Sequence, residues 1–459
     1  MATIHYSLFT IHYLPMLLPQ FLIASPSSGS GKTTLSGGLM RLFREHGLRV
    51  QPFKCGPDYI DTRFHARACG RPSINLDRFF ASDVHLRRLY AGYARGSDVC
   101  VVEGMMGMYD GYRRDLGSSA DVAARLGLPV VLVVDARSSA YSLAPLLAGF
   151  VGFRRDVEVA GVIFNRVGSD RHYALLQEVC QDLGLVCFGR FPQCEAMSVP
   201  SRYLGLDFSQ GQGEDEAHEW AALIDRYVDW RLLLQRVSRP MPDYQPPAYE
   251  SSPSPSHLHI CMALNDESFS FVYQEHIDRL RQWGELTFIN PEADEPVPER
   301  TDLLYLPGGY PEKHADALSS ARRALASVRD YVGRGGRCLA ECGGMIYLSQ
   351  GVWLDGEADE PVFWPLAGVL PFGISARKVH RKLSLGYRRF DYGGQTLRGH
   401  EFHYSQFLPP EPAHALPPSM TQVYNAHDEP VPTPVFRHRN VIASYTHLYW
   451  GETDLMSLF

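Results

Sequence analysis

Residues 26–34 read Pro-Ser-Ser-Gly-Ser-Gly-Lys-Thr-Thr and follow the apolar run Phe21-Leu22-Ile23-Ala24. A strand leading into a glycine-rich loop closed by Gly-Lys-Thr is a cradle for phosphate. Backbone N–H groups of Ser28, Gly29, Ser30 and Gly31 face the phosphate oxygens. Lys32 supplies a point positive charge, and the Thr33 hydroxyl is suited to Mg²⁺. The residues from Thr34 onward are helix-competent, so a helix N-terminus adds its partial positive charge at the same place. The usual spacing has glycine where this chain has Pro26. The sequence therefore points to a nucleotide user, with Mg²⁺ as the expected metal.

A second reactive group lies far along the chain. Ala340-Glu341-Cys342-Gly343-Gly344 joins the strand-like Arg337–Glu341 to the helix-like stretch 345–349. A nucleophile on a tight strand-to-helix turn needs small neighbours, which the two glycines supply. The helix N-terminus is expected to favour thiolate at Cys342. A base must come from elsewhere, and His447, after an apolar segment near the C-terminus, is the leading choice. Backbone N–H groups around Gly308 and Gly309, in Pro307-Gly308-Gly309-Tyr310, are expected to meet the oxyanion.

Such groups need a scaffold to hold them. Short apolar strands (Val99–Glu103, Pro129–Asp135, Val159–Asn165) alternate with helical stretches (Ser36–His46, Ser118–Leu126). This pattern predicts a parallel sheet covered on both faces, with ligands at the carboxyl ends of its strands. Glu103, Lys54 and Asn165 stand at such ends, beside the phosphate loop. Residues 238–257 carry six prolines and read as an extended linker. A second α/β unit follows. Its strands are expected at Leu258–Leu264, Leu303–Leu306 and Arg337–Glu341, and its helices at Tyr273–Trp283 and Ala317–Val332. The fold class is thus two doubly wound α/β domains, over 17–237 and 258–459.

At 459 residues two domains fit the usual size. A net charge of −7 gives no basic field for nucleic acid. The nine cysteines are scattered without a Cys-x-x-Cys pair, which favours a reducing cytoplasm over a disulfide framework or zinc site. Prolines at 15 and 19 break the first apolar stretch, so no membrane span is expected. Residues 1–16 are expected to be a non-native extension, with translation starting at Met16.

Lys54-Cys55-Gly56-Pro57-Asp58-Tyr59-Ile60-Asp61, Val102-Glu103-Gly104-Met105-Met106-Gly107-Met108-Tyr109-Asp110-Gly111, the Cys342 turn and Gly399-His400-Glu401-Phe402-His403-Tyr404-Ser405 occur in this order. Together with the phosphate loop they resemble the cobyrinic acid a,c-diamide synthase family of cobalamin biosynthesis. The resemblance spans residues 22–450 or so. It implies a dethiobiotin-synthetase-like ATP domain joined to a class I glutamine amidotransferase domain. It also implies a reaction in which a corrin carboxylate is phosphorylated and then amidated by ammonia from glutamine.

In that reading Lys32, Thr33 and Thr34 hold ATP. Glu103 and Asp58 assist the metal, and Lys54 neutralises the moving phosphoryl group. Asp110 assists catalysis, and Asn165 faces adenine. Asp58, Tyr59, Asp61 and Arg202 meet the substrate, and glutamine meets Gly308 and Gly309. Many class I glutaminases carry Glu two residues after the base. Tyr449 stands there in this chain, so a Cys342–His447 dyad is expected. Hydrogenobyrinate or nickel-sirohydrochlorin are alternative substrates. A MinD-like regulatory ATPase is the competing class, and the Cys342 turn argues against it.

Overall fold

The computed structural model describes residues 17–193, 213–243, 257–408 and 416–459. The expected extension 1–16, most of the linker and Arg202 lie outside the described residues.

Strands β1 (Leu17–Ala24), β2 (Val50–Cys55), β3 (Ile74–Leu76), β4 (Val99–Glu103), β5 (Val130–Asp135), β6 (Val159–Val167) and β7 (Cys187–Pro192) form a parallel sheet in the order β3-β2-β4-β1-β5-β6-β7. Alternation along β1 feeds two cores. Phe21 and Ile23 pack on one face with Leu35, Leu39 and Phe43 of helix α1 (Lys32–Glu45). Leu22 and Ala24 pack on the other with Val102 and Val134. A strand buried on both faces reads as a continuous apolar run, which is why these strands are legible in the sequence. Register sets the chemistry: Ile23 and Lys54 both lie opposite Glu103, and Asp135 lies opposite Asn165.

Strand β8 (Ser238–Pro240) pairs antiparallel with Leu17–Pro19. The expected linker therefore begins as an edge strand of the first sheet. Proline fits there because an edge strand has N–H positions that bond nothing.

The second sheet contains β9 (Leu258–Ala263), β10 (Gly284–Ile289), β11 (Leu303–Leu306) and β12 (Arg337–Glu341). With β21 (Val435–His438) and β22 (Val441–Ser444) its order is β10-β9-β11-β12-β22-β21, and only the edge strand β21 runs antiparallel. Strands β13 (Gly351–Asp355), β14 (Pro361–Pro365), β15 (Gly373–Ser375), β16 (Ser384–Tyr392), β17 (Gln395–His403) and β18 (Gln406–Leu408) belong to two further, largely antiparallel sheets. They are joined there by β19 (Val423–Asn425), β20 (Pro430–Val431) and β23 (Thr446–Tyr449).

The helix expected over Ala317–Val332 is two helices, Ala315–Ser320 and Arg322–Gly333, broken at Ala321. Propensity alone would carry it through. A tertiary cap overrides it: Asp294 accepts from the Ala324 N–H at 2.9 Å, starting a new helix.

The two halves share a core. Phe271, Tyr273 and Tyr449 of the second half pack in one cluster with Tyr59 and Phe80 of the first. Tyr59 stacks on Phe271 with centroids 5.2 Å apart, and Phe80 on Tyr449 at 5.3 Å. Stacked aromatics contribute about 0.5–1.5 kcal/mol per pair beyond area burial.

Candidate functional site

Helix α1 begins at Lys32 with Gly31 as its left-handed N-cap and no side-chain cap. Its first N–H groups are therefore left to whatever anion the loop admits. Gly31 has φ 95°, and a Cβ there would collide with the Asn165 amide. That amide donates to the Ser30 carbonyl at 2.9 Å, so Asn165 braces the loop from β6. Ser30 in turn donates to the Ser27 carbonyl. Ser28 is exposed on the loop, and Thr34 is buried in the first turn of α1.

Beneath the loop lies a charged knot. Lys54 donates to Asp61 at 2.6 Å and to Glu103 at 2.8 Å. Thr33 donates to the same Glu103 oxygen at 2.8 Å, and His65 meets the other oxygen at 2.7 Å. Burial alone would lower the Lys54 pKa, but Asp61, Glu103 and Asp58 overcome it and hold the ammonium charged. Burial likewise opposes ionisation of Glu103, and Lys54 and His65 override it to keep its pKa low. A hydroxyl and a carboxylate within one hydrogen bond of each other are hard oxygen donors that fit Mg²⁺.

His65 is a member of the knot that no motif points to. The available signal is that Asp61 and His65 lie at i and i+4 on α2 (Ile60–Cys69), and so share one helix face. Asp58 has one oxygen committed, accepting from the Ile60 and Asp61 amides at 2.8 Å each. Asp110 accepts from the Gly107 amide at 3.0 Å, holding the loop that packs on Pro26.

Lys32 is buried and donates to Ser25 Oγ at 2.8 Å and to the Met106 carbonyl. Burial, only partly offset by Glu103, pushes its pKa down to about 8. A bound triphosphate favours the charged form, so nucleotide binding takes up a proton above that pH. Below about pH 8 the lysine is already charged, and the Kd for ATP should be flat; above it, Kd should rise by up to about tenfold per pH unit. Calorimetric titration across that range checks this, and Lys32→Arg should flatten the rise because its guanidinium does not titrate there.

In the second half Cys342 sits at φ 45°, ψ −104°, at the turn between β12 and helix Gly343–Leu348. This is the strained strand-to-helix turn expected from the two glycines. The expected thiolate is not what this environment favours. Burial first, and then Glu312, push the thiol pKa up, outweighing the Gly343 N–H. The resting sulfur is a neutral thiol. His447, 1 % exposed on β23, is pushed down to about 3, mainly by burial, and is a neutral imidazole. Neither ring nitrogen has a hydrogen-bond partner among the described residues, so no hydrogen bond joins it to Cys342.

The Pro307–Gly309 loop runs between the two groups. A Cβ on Gly308 would collide with the His447 ring, and one on Gly343 would press on the Gly309 amide at 2.9 Å. Tyr449 is turned away from this pair. Its hydroxyl donates to Glu275, whose other oxygen meets His85 of the first half at 2.7 Å.

Between the halves lies a cavity of about 920 Å³. Asp58, Tyr59, Asp61 and Met106 line it from one side, and Phe271, Tyr387, His400 and His447 from the other. Tyr59 therefore touches both candidate sites: it follows Asp58 in the chain, and its ring lies 5.3 Å from that of His447. The second-half wall is built by the antiparallel strands, where His400 pairs with His447 in register. Glu401 is buried behind it, bound to Arg388, His403 and Thr433. No helix of the described residues is long and apolar enough to cross a membrane.

Residues 21–204 match the CobQ/CobB/MinD/ParA nucleotide binding domain, and residues 260–455 match the CobB/CobQ-like glutamine amidotransferase domain. A Brucella ovis protein named hydrogenobyrinate a,c-diamide synthase is 40% identical over 405 residues, covering 86% of this chain and 91% of its own length. A Rhizobium meliloti protein of the same name is 38% identical, covering 93% and 98%. A Salmonella typhimurium protein named cobyrinate a,c-diamide synthase is 35% identical, covering 95% and 96%.

Proposed function

The chain belongs to the family of hydrogenobyrinate and cobyrinate a,c-diamide synthases, and from that premise we propose that it amidates the a and c acetate carboxylates of cobyrinate, using ATP and glutamine. The observation that carries this reading is the shared cavity. It is bounded by the acids next to the phosphate loop on one side and by His447 on the other.

A carboxylate does not react with ammonia at neutral pH, because it is an anion without a leaving group. One substrate oxygen attacks the γ-phosphorus of ATP, the bond to the β-phosphate oxygen breaks, and ADP leaves. The product is an acyl phosphate. Such transfer needs positioning and positive charge more than covalent help. Lys32 and the N-terminus of α1 stabilise charge on the nucleotide, and Lys54 stabilises it on the acceptor side. Thr33 and Glu103 would hold Mg²⁺, which supplies further positive charge to the phosphates when bound.

In the second half the Cys342 sulfur attacks the glutamine amide carbon while His447 takes the thiol proton. Gly308 and Gly309 present N–H groups to the oxyanion. His447 returns the proton to the departing nitrogen, ammonia leaves, and water hydrolyses the thioester to glutamate. Ammonia then attacks the acyl phosphate, phosphate leaves, and the amide remains. The eight described cysteines are all free thiols, in keeping with a cytoplasmic setting.

Hydrogenobyrinate is a second reading, favoured by the relatives at 38–40% identity that carry its name. One experiment tests both. The purified chain is incubated with ATP, Mg²⁺, glutamine and, separately, cobyrinate, hydrogenobyrinate or nickel-sirohydrochlorin, and product mass is measured. Exchange of two hydroxyls for two amino groups on a corrin is expected. Amidation of the nickel compound alone, or ATP hydrolysis indifferent to every acid, would overturn the proposal.

A further inference from the structure

Resting on this reading of the Cys342–His447 pair, we propose that Glu341 is the positioning residue of the glutaminase site, holding the strand that carries the base against the turn that carries the nucleophile. The need for such a group is plain from the geometry. Neither nitrogen of the His447 ring is bonded to a described residue. Tyr449, two residues on and on the same face of β23, is committed to Glu275. Moreover, β23 is no member of the parallel sheet that ends in Cys342; it pairs with β17 in the antiparallel sheet. The backbone carries the base part of the way: β23 follows β22 after Tyr445 alone, and the Cys342 amide donates to the Ser444 carbonyl at 2.7 Å. Beyond Ser444 the chain leaves the parallel sheet, and the last step out to His447 is what a side-chain tie can fix.

Glu341 makes that tie. It is the last residue of β12, directly before Cys342, and is 2 % exposed. One carboxyl oxygen accepts from the Leu448 backbone N–H, the amide that follows His447, at 3.0 Å. The other accepts from the Tyr305 hydroxyl of β11 at 2.8 Å. Strand β11 leads directly into Pro307-Gly308-Gly309. A single carboxyl group thus joins the three strands that present the oxyanion loop, the thiol and the imidazole. Burial pushes its pKa up to about 8. The tie therefore needs an acceptor oxygen for Leu448 rather than a full charge.

Three variants test this with two nitrogen donors. Glu341→Ala should lower glutamine-dependent kcat by about 10²-fold, the cost of misplacing a reacting group by an ångström. Its KM for glutamine should move far less, and ammonia-dependent amidation should be untouched. Glu341→Gln keeps an acceptor oxygen and should recover most of the lost kcat. Cys342→Ala is the control for the underlying site. If Cys342→Ala abolishes glutamine use while Glu341→Ala keeps the parent kcat, the positioning role is wrong and the site stands. If Cys342→Ala still uses glutamine, the site reading itself fails. Should Glu341→Ala lose both activities through misfolding, Glu341→Gln decides: near-parent activity with both donors upholds the tie, and a Gln variant that fails with glutamine alone overturns it.

Discussion

Cys342→Ala is expected to lower glutamine-dependent amidation by at least about 10⁴-fold, as loss of a covalent nucleophile does elsewhere, while amidation from ammonium salts persists. The substitution removes one sulfur and keeps the Cβ. Cys342 sits at φ 45°, and alanine at that φ bears the same steric demand, so the turn is not newly strained. The vacated volume is small, and Cys342 belongs to one packed cluster with Met345 and Tyr445. The acid-activation site draws on Lys54, Glu103 and Asp61, none of which bonds to the second half. Sites without shared partners act nearly independently, so ammonia-supported turnover should stay within about twofold of the parent. Initial rates with saturating glutamine and with ammonium chloride give the comparison. Loss of both activities would show that sulfur and phosphoryl chemistry are not separate sites.

The chemistry of that sulfur depends on protonation. Burial leaves both the thiol and the imidazole neutral. No thiolate–imidazolium pair rests in the pocket awaiting glutamine. In the proposed mechanism the proton therefore moves as the carbon–sulfur bond forms, while the emerging oxyanion meets the loop amides. This inverts the expectation drawn from the helix N-terminus. The helix following Cys342 has only six residues, and its dipole is outweighed by burial and by Glu312.

How much of the site is legible in the sequence depends on range. The phosphate loop, the elbow and the polar strand ends are local signals: each needs a few consecutive residues of the right size and polarity. Residue order alone puts Lys54 and Glu103 at strand ends, Cys342 just past one, and Lys32 and Thr33 at the start of the helix after the loop. The antiparallel strands between residues 351 and 449 are not legible in this way. Most are short, and although β16 and β17 run nine residues and bury alternate positions, three of the five buried residues are Arg388, Gly399 and Glu401, so the alternation does not read as apolar against polar. Yet they build one wall of the interfacial cavity. Tyr449 shows a different limit. The sequence says what it is not, a carboxylate; only the fold shows that its hydroxyl reaches Glu275, and through it His85, across the interface. Glu341 is hidden for a similar reason. A strand-end glutamate beside a nucleophile is noticed only once the amide it accepts from, more than a hundred residues on, lies next to it.

Lys32→Ala should remove ATP-driven amidation with either nitrogen donor, by at least about 10³-fold, since a preorganised cation aimed at developing phosphoryl charge is worth that much in a dry site. No neighbour can take its place. Lys54, the other buried ammonium at the site, is already bound to Asp61 and Glu103 on β4. Arg166 is bound to Asp135 at the end of β5 and to the Gly29 carbonyl. Removing the Lys32 ammonium also takes away the donor that joins the Ser25 hydroxyl oxygen to the Met106 carbonyl across the floor of the loop. Met106 stands at φ 45° in the segment that Asp110 braces. The loss should therefore appear in ATP affinity as well as in turnover. Lys32→Arg separates the two contributions: it restores charge without the point geometry of an ammonium, so binding should recover more than kcat. Nucleotide titration together with ammonia-supported ADP release gives both numbers. An alanine variant that still phosphorylates its carboxylate at the parent rate would move the nucleotide away from this loop, and with it the roles given to Thr33 and Glu103.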